Sequence, residues 1–206
     1  MSERSVSRRR EQKQWYTLQA PEQFDREELG ETLAEESDQV LGRTIETTLG
    51  DLRNDASENN TKLTFQVTEV ASDTAYTEFV RHELTRDYLR SLVRRGSSKI
   101  EAYVTVLTED DYRVQIQPVA LTTKSADESQ EMAIRRRMID LVRDAAADRT
   151  FDDLVDSVVE GQLSSAIYNE TKTIYPLRRV EVQKMTLEAR PEEVEVEEET
   201  SVDIDG

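Results

Sequence analysis

Apolar and polar side chains alternate along several stretches of the chain. Leu63, Phe65 and Val67 alternate with Thr64, Gln66 and Thr68, the two-residue period of a half-buried strand. Residues 99–107 and 112–121 flank Thr108-Glu109-Asp110-Asp111, which predicts a hairpin turn. Pro118 puts the second of those strands at an edge or on a bulge, because proline has no N–H for the ladder. Val180 and Val182 alternate with Arg179 and Glu181 in a late strand. Between these the period changes. Ile134, Met138, Leu141, Val142 and Ala145 share one face of a helix predicted over about 128–147, with Ser125 or Asp127 as its N-cap. Thr150 caps another, in which Phe151, Leu154, Val155, Val158 and Val159 recur at helical spacing, continuing past a kink near Gly161 to Ile167. Strands, then two helices, then at least one more strand predict an α+β domain with antiparallel strands.

Residues 85–95 form a further amphipathic segment. On a helical wheel Tyr88, Leu89, Leu92 and Val93 share an arc that would hold the helix to a core. Arg86, Arg90 and Arg94 form a stripe at i, i+4, i+8 on a neighbouring arc, and Arg95 follows. Thr85 fits an N-cap, Asp87 suits the positive first turn, and Gly96 fits a C-terminal stop. Two readings compete. Arg94 and Arg95 can stabilise a helix C-terminus, and Asp87 can pair with Arg90, with no ligand involved. Yet like charges four residues apart cost a few tenths of a kcal/mol each, so the stripe also reads as a face for an anion.

Charge sharpens that contrast. The chain has 44 acidic and 27 basic residues and a formal net charge of -17. Arginine outnumbers lysine 21 to 6, and there is no cysteine. The first 13 residues, with Arg8-Arg9-Arg10, predict a flexible basic arm, and residues 190–206, with one basic and eight acidic residues, predict a disordered acidic tail. The body from 14 to 189, a single domain in this reading, is acidic as well. Spread acidity with scarce lysine suggests a halophile's cytosolic protein. At about 1 M salt the Debye length falls to about 3 Å, which screens the self-repulsion of such a surface. Nucleic-acid contacts must then be local, and bidentate arginine–phosphate bonds suit that requirement.

Catalysis finds little support. His82 is the lone histidine, and without cysteine neither thiol chemistry nor a cysteine metal site is open. No Gly-x-Ser-x-Gly elbow or glycine-rich phosphate loop is present, so no cofactor or metal is implied. No apolar run approaches the ~18 residues of a membrane span. The basic N-terminus lacks the apolar segment of a secretory signal, and the expected compartment is the cytoplasm. Arg135-Arg136-Arg137 reads chiefly as a helix face paired with the chain's own carboxylates, and Trp15 and Tyr16 read as core aromatics.

Four ordered blocks carry a family resemblance. They are Trp15-Tyr16 with Ala20-Pro21 and Phe24; Leu41-Gly42-Arg43-Thr44 with Glu46, Leu49 and Asp51-Leu52; residues 85–95 continued by Ser98 and Ile100; and Ile174-Tyr175-Pro176-Leu177-Arg178-Arg179-Val180-Glu181-Val182. Together they resemble the S3Ae (eS1) family of archaeal and eukaryotic small-subunit ribosomal proteins over roughly residues 13–187. The chain departs from that pattern at Arg81, Gly96 and Gln183. The resemblance implies an antiparallel barrel-like sheet flanked by helices and a structural role in the small ribosomal subunit. It implies a place on the platform, near the messenger exit and messenger RNA, beside other small-subunit proteins. It also implies contacts to small-subunit ribosomal RNA at Arg8, Arg9, Arg10, Arg43, Arg86, Arg90, Arg94, Arg95, Lys99, Arg178 and Arg179. The competing reading is an acidic protein-interaction module whose arginines pair internally. The two part on whether Arg86, Arg90 and Arg94 lie free of carboxylate partners.

Overall fold

The computed structural model describes residues 13–194; the arginines of the basic arm and the acidic tail beyond 194 lie outside them. The described chain divides into two units, one of residues 13–45 and 65–79, the other of 46–64 and 80–194. The strands pair into a mixed, largely antiparallel open sheet. This corrects the antiparallel barrel expected from the resemblance. β5 (Thr74–Leu84) is the reason: it pairs in parallel with β1 (Gln14–Gln19) through Leu18 and Ala75, and antiparallel with β9 (Leu177–Ala189) through His82 and Met185.

In the first unit, β1 pairs antiparallel with β2 (Glu28–Ala34), with Tyr16 opposite Thr32 and Trp15 opposite Leu33. Tyr16, Leu18, Ala34, Val40, Val67 and Ala75 form its core. Phe24, Phe65 and Phe79 add an aromatic cluster with ring centroids 5.2–6.4 Å apart. Successive side chains of a strand point to opposite faces, so burial of Tyr16 turns Trp15 outward. Trp15 is 58% exposed, beside exposed Leu33. The expectation that both aromatics are core holds for Tyr16 and fails for Trp15.

In the second unit, β8 (Arg113–Thr122) pairs with β9, with β6 (Lys99–Glu101) and with β7 (Val104–Leu107). The β7–β8 turn covers Thr108 to Asp111, as the sequence pattern requires, and the β8–β9 register shifts between Gln117 and Pro118, the expected bulge. Three helices follow in this unit, the first and third against the sheet and the second against the other two. α3 (Glu128–Ala147) is capped at Asp127, whose N–H donates to Gln130 Oε1 at 3.1 Å. It buries Ile134, Met138, Val142 and Ala146. Thr150 caps α4 (Phe151–Val159) by accepting from the Asp153 N–H. Gly161, at φ 70°, takes the left-handed conformation that ends α4 and starts α5 (Gln162–Thr171). The predicted kink is therefore a full break. The expected tail start at 190 moves too: 191–194 is a helical turn with Val194 buried, and the Arg190 N–H donates to Glu193 Oε2.

β3 (Thr44–Thr48), α1 (Leu49–Arg53) and β4 (Thr61–Ala71) complete this order. Gly50 in α1 is a packing requirement, since a Cβ there would lie 2.5 Å from the Asp55 carbonyl oxygen.

Candidate nucleic-acid interface

The segment after β5 does fold as a helix, α2 (Arg86–Leu92), but a shorter one than its periodicity predicts. The Leu89 N–H donates to the Thr85 carbonyl at 3.0 Å, whereas the Thr85 side chain makes no capping bond. Val93 is extended, and its exposed side chain contributes nothing to a core. Arg94 to Ser97 then form a turn in which the Ser97 N–H and hydroxyl both donate to the Arg94 carbonyl, with Gly96 at φ 75°. The predicted three-arginine stripe is thereby split. Arg86 and Arg90 stand on the helix, while Arg94 and Arg95 stand on the turn that follows.

The apolar arc is also less buried than its pattern suggests. Tyr88, Leu89 and Leu92 are only half-buried, and no α2 residue is fully buried. Attachment to β9 comes through Tyr88 instead. Its hydroxyl donates to Glu181 Oε1 at 3.3 Å, and the same oxygen accepts from Arg179 Nε at 2.5 Å. The Arg179 guanidinium lies over the Tyr88 ring, 5.8 Å from its centroid. Burial first, and the Glu181 carboxylate second, push the Tyr88 phenol above its ordinary range, which keeps it a donor. The third and fourth blocks of the family resemblance thus meet in space at this contact.

The four α2-region arginines are all exposed, and none has a carboxylate partner among the described residues. Other basic side chains differ. Arg53 pairs with Glu58 and Glu160, Lys62 with Glu46, and Arg137 with Glu170. Arg135 Nε donates to the Glu101 carbonyl at 2.9 Å. Of Arg135, Arg136 and Arg137, Arg137 therefore follows the carboxylate-paired reading, while Arg135 is held by a backbone carbonyl.

The remaining predicted contacts also divide. Lys99 pairs with Glu101 at 2.7 Å. Arg43 acts as a clamp within the first unit: Nε donates to the Gln39 carbonyl at 2.7 Å, and Nη1 to Thr32 Oγ1 at 2.5 Å and the Leu33 carbonyl at 3.1 Å. Arg8, Arg9 and Arg10 lie outside the described residues. Arg178 and Arg179 both line a cleft of about 530 Å³ between α5 and β9, with Glu160, Ser164, Tyr168 and Asn169 on its wall. Sequence reasoning had no signal for this cleft, because α5 and the start of β9 come together only in the folded chain. His82 is buried in β5, and no group of metal-ligating side chains occurs among the described residues.

Comparison with known proteins agrees with the resemblance. The family model described as the ribosomal S3Ae family matches residues 2–191. The chain is 80% identical to the small ribosomal subunit protein eS1 of Haloarcula marismortui, over all of this chain and 96% of that one. It is 72% identical to the eS1 protein of Natronomonas pharaonis across the full length of both. For the eS1 protein of Archaeoglobus fulgidus the identity is 47%, over 90% of this chain and 89% of the relative. With four ordered sequence blocks, two of them in contact in the fold, and a match over nearly its whole length, the chain belongs to the ribosomal S3Ae family, as a halophile's member of it.

Proposed function

We propose that the chain is a structural constituent of the small ribosomal subunit that holds ribosomal RNA through the α2 arginines. The family is one of ribosomal structural proteins and not of enzymes, whose members work in the cytoplasm within the ribosome. Its partners are ribosomal RNA and neighbouring ribosomal proteins. The place on the platform near the messenger exit belongs to this proposal, as does RNA contact by the basic arm and by Arg178 and Arg179.

One observation carries the reading. With 44 carboxylates in the chain, Arg86, Arg90, Arg94 and Arg95 remain exposed without a carboxylate partner among the described residues. A module whose arginines merely neutralise its own acids would pair them, as it does Arg53 and Arg137. Exposed guanidinium groups suit phosphate oxygens, which they meet in bidentate geometry at short range. Such contacts read backbone and shape more than base sequence. Lys99, Arg43 and Arg179 contribute less here, because their donors already have acceptors within the fold.

Sedimentation of a native lysate in multimolar KCl tests this. The wild-type chain should travel with the small subunit and leave that fraction after RNase treatment. The Arg86→Gln/Arg90→Gln/Arg94→Gln variant should shift toward the top of the gradient while keeping its melting temperature. Wild-type protein found only as a free 23.7 kDa species would overturn the proposal.

A further inference from the structure

Arg178 lies one residue into β9, on the wall of the cleft beside α5. Its Nη2 is shut off from solvent and has no hydrogen-bond partner among the described residues. A guanidinium carries five N–H donors and does not shed its charge. A buried donor of that kind without an acceptor is costly, more so than a neutral one.

The two carboxylates on the cleft wall do not meet this need. Glu160 is ion-paired with Arg53, and Glu181 already accepts from both Arg179 and Tyr88. Ser164 Oγ accepts from the Val182 N–H, and Asn169 Oδ1 accepts from Lys172 Nζ, which leaves the Asn169 amide nitrogen to donate. α5 brings its first turn to the same space through Gly161 and Ser164, adding the positive end of its dipole. The cleft wall therefore carries one uncompensated cation, Arg178, and a helix start. Their common complement is an anion with several acceptor oxygens. At about 530 Å³ the cleft is within the ~300–1,000 Å³ range of small-ligand sites, suited to one nucleotide's phosphate and too small for the side of a duplex.

We propose that this cleft takes a single phosphodiester of an unpaired RNA segment, with Arg178 as its principal ligand. The assignment rests on the RNA-binding function proposed above and adds to it a defined phosphate site. Contacts made inside a cleft at hydrogen-bonding range persist where long-range attraction is screened, so the site would hold at multimolar salt.

Arg178→Gln removes the charge and keeps a hydrogen-bonding side chain. The wild-type chain, Arg178→Gln, Arg178→Lys and Arg86→Gln/Arg90→Gln are titrated against full-length small-subunit RNA in multimolar KCl. The melting temperature of each is taken with and without inorganic phosphate at the same KCl concentration. Arg178→Gln should bind RNA about tenfold more weakly, the scale of one lost charge-assisted contact. It should also lose the phosphate-specific rise in melting temperature, with its phosphate-free melting temperature unchanged or higher. Arg178→Lys should keep part of both effects. A lower phosphate-free melting temperature in Arg178→Gln with unchanged RNA affinity would make the arginine structural and overturn the site. Wild-type affinity in Arg178→Gln beside a loss in the α2 variant would remove the cleft and leave the α2 reading standing. Phosphate stabilisation without RNA binding by any form would remove RNA as the source of the anion.

Discussion

His82 has 4% of its surface exposed, and its Nδ1 has no hydrogen-bond partner among the described residues. Burial lowers its pKa from 6.5 to about 4, so the folded chain holds the ring neutral. The unfolded chain takes up that proton as pH falls through about 6.5. Stability is therefore full above that value, declines as pH falls from about 6.5 to about 4, and gains no further loss from this group below. At 1.36 kcal/mol per pH unit the decline is about 3 kcal/mol. Calorimetry at constant KCl between pH 4 and 7 should show a shallower fall in melting temperature for His82→Gln than for wild type. Equal slopes would mean that the ring titrates normally. Arginines show how unevenly a sequence reveals such roles. Arg43 and Arg90 look alike in the chain, yet Arg43 is bound to two carbonyls and a threonine while Arg90 is exposed. Arg53 finds Glu160 at a separation of 107 residues, which no local pattern announces.

At the scale of elements, Tyr88 ties α2 to β9. Its hydroxyl bond to Glu181 and the stacked Arg179 make up the contact with β9. Tyr88→Ala removes both, together with the ring's packing. Hydrogen exchange should then quicken across Arg86–Leu92 while β8 and α3 keep their protection, and RNA affinity should fall although all four arginines remain. Unchanged exchange in α2 would assign its attachment to Leu89 and Leu92 instead. The helices α3 and α4 were legible in the sequence because their signals are local: Asp127 with Gln130, Thr150 with Asp153, and apolar residues at helical spacing. Pro118 announced its bulge for the same reason. The end of α2 was not legible. Its periodicity continues through Val93 and Arg94, but Ser97 captures the Arg94 carbonyl and Gly96 turns the chain. Nor did alternation reveal that β1 pairs in parallel with β5, since alternation gives the face of a strand and not its neighbour. The α2 arginines could be proposed from sequence; Tyr88 as a tie to β9 and the cleft at Arg178 arise from long-range contacts.

At the scale of the whole molecule, a net charge of -17 makes stability a function of salt. The Debye length is about 10 Å at 0.1 M and about 3 Å at 1 M, so dilution restores repulsion across the acidic surface. The melting temperature of the isolated chain should rise with KCl from 0.1 M into the multimolar range, and the steepest change should come below about 1 M. A flat profile would mean that the acidic surface plays no part in stability. The same screening removes a safeguard that ordinary acidic proteins have, because mutual repulsion no longer keeps neighbouring molecules apart. β6 ends the strand order of its sheet, and a bare sheet edge is a template for strands from other chains. There the Arg135 guanidinium occupies the Glu101 carbonyl at 2.9 Å. Arg135 thus keeps one acceptor of that edge strand occupied, through a short-range bond that salt does not screen as it screens repulsion between molecules.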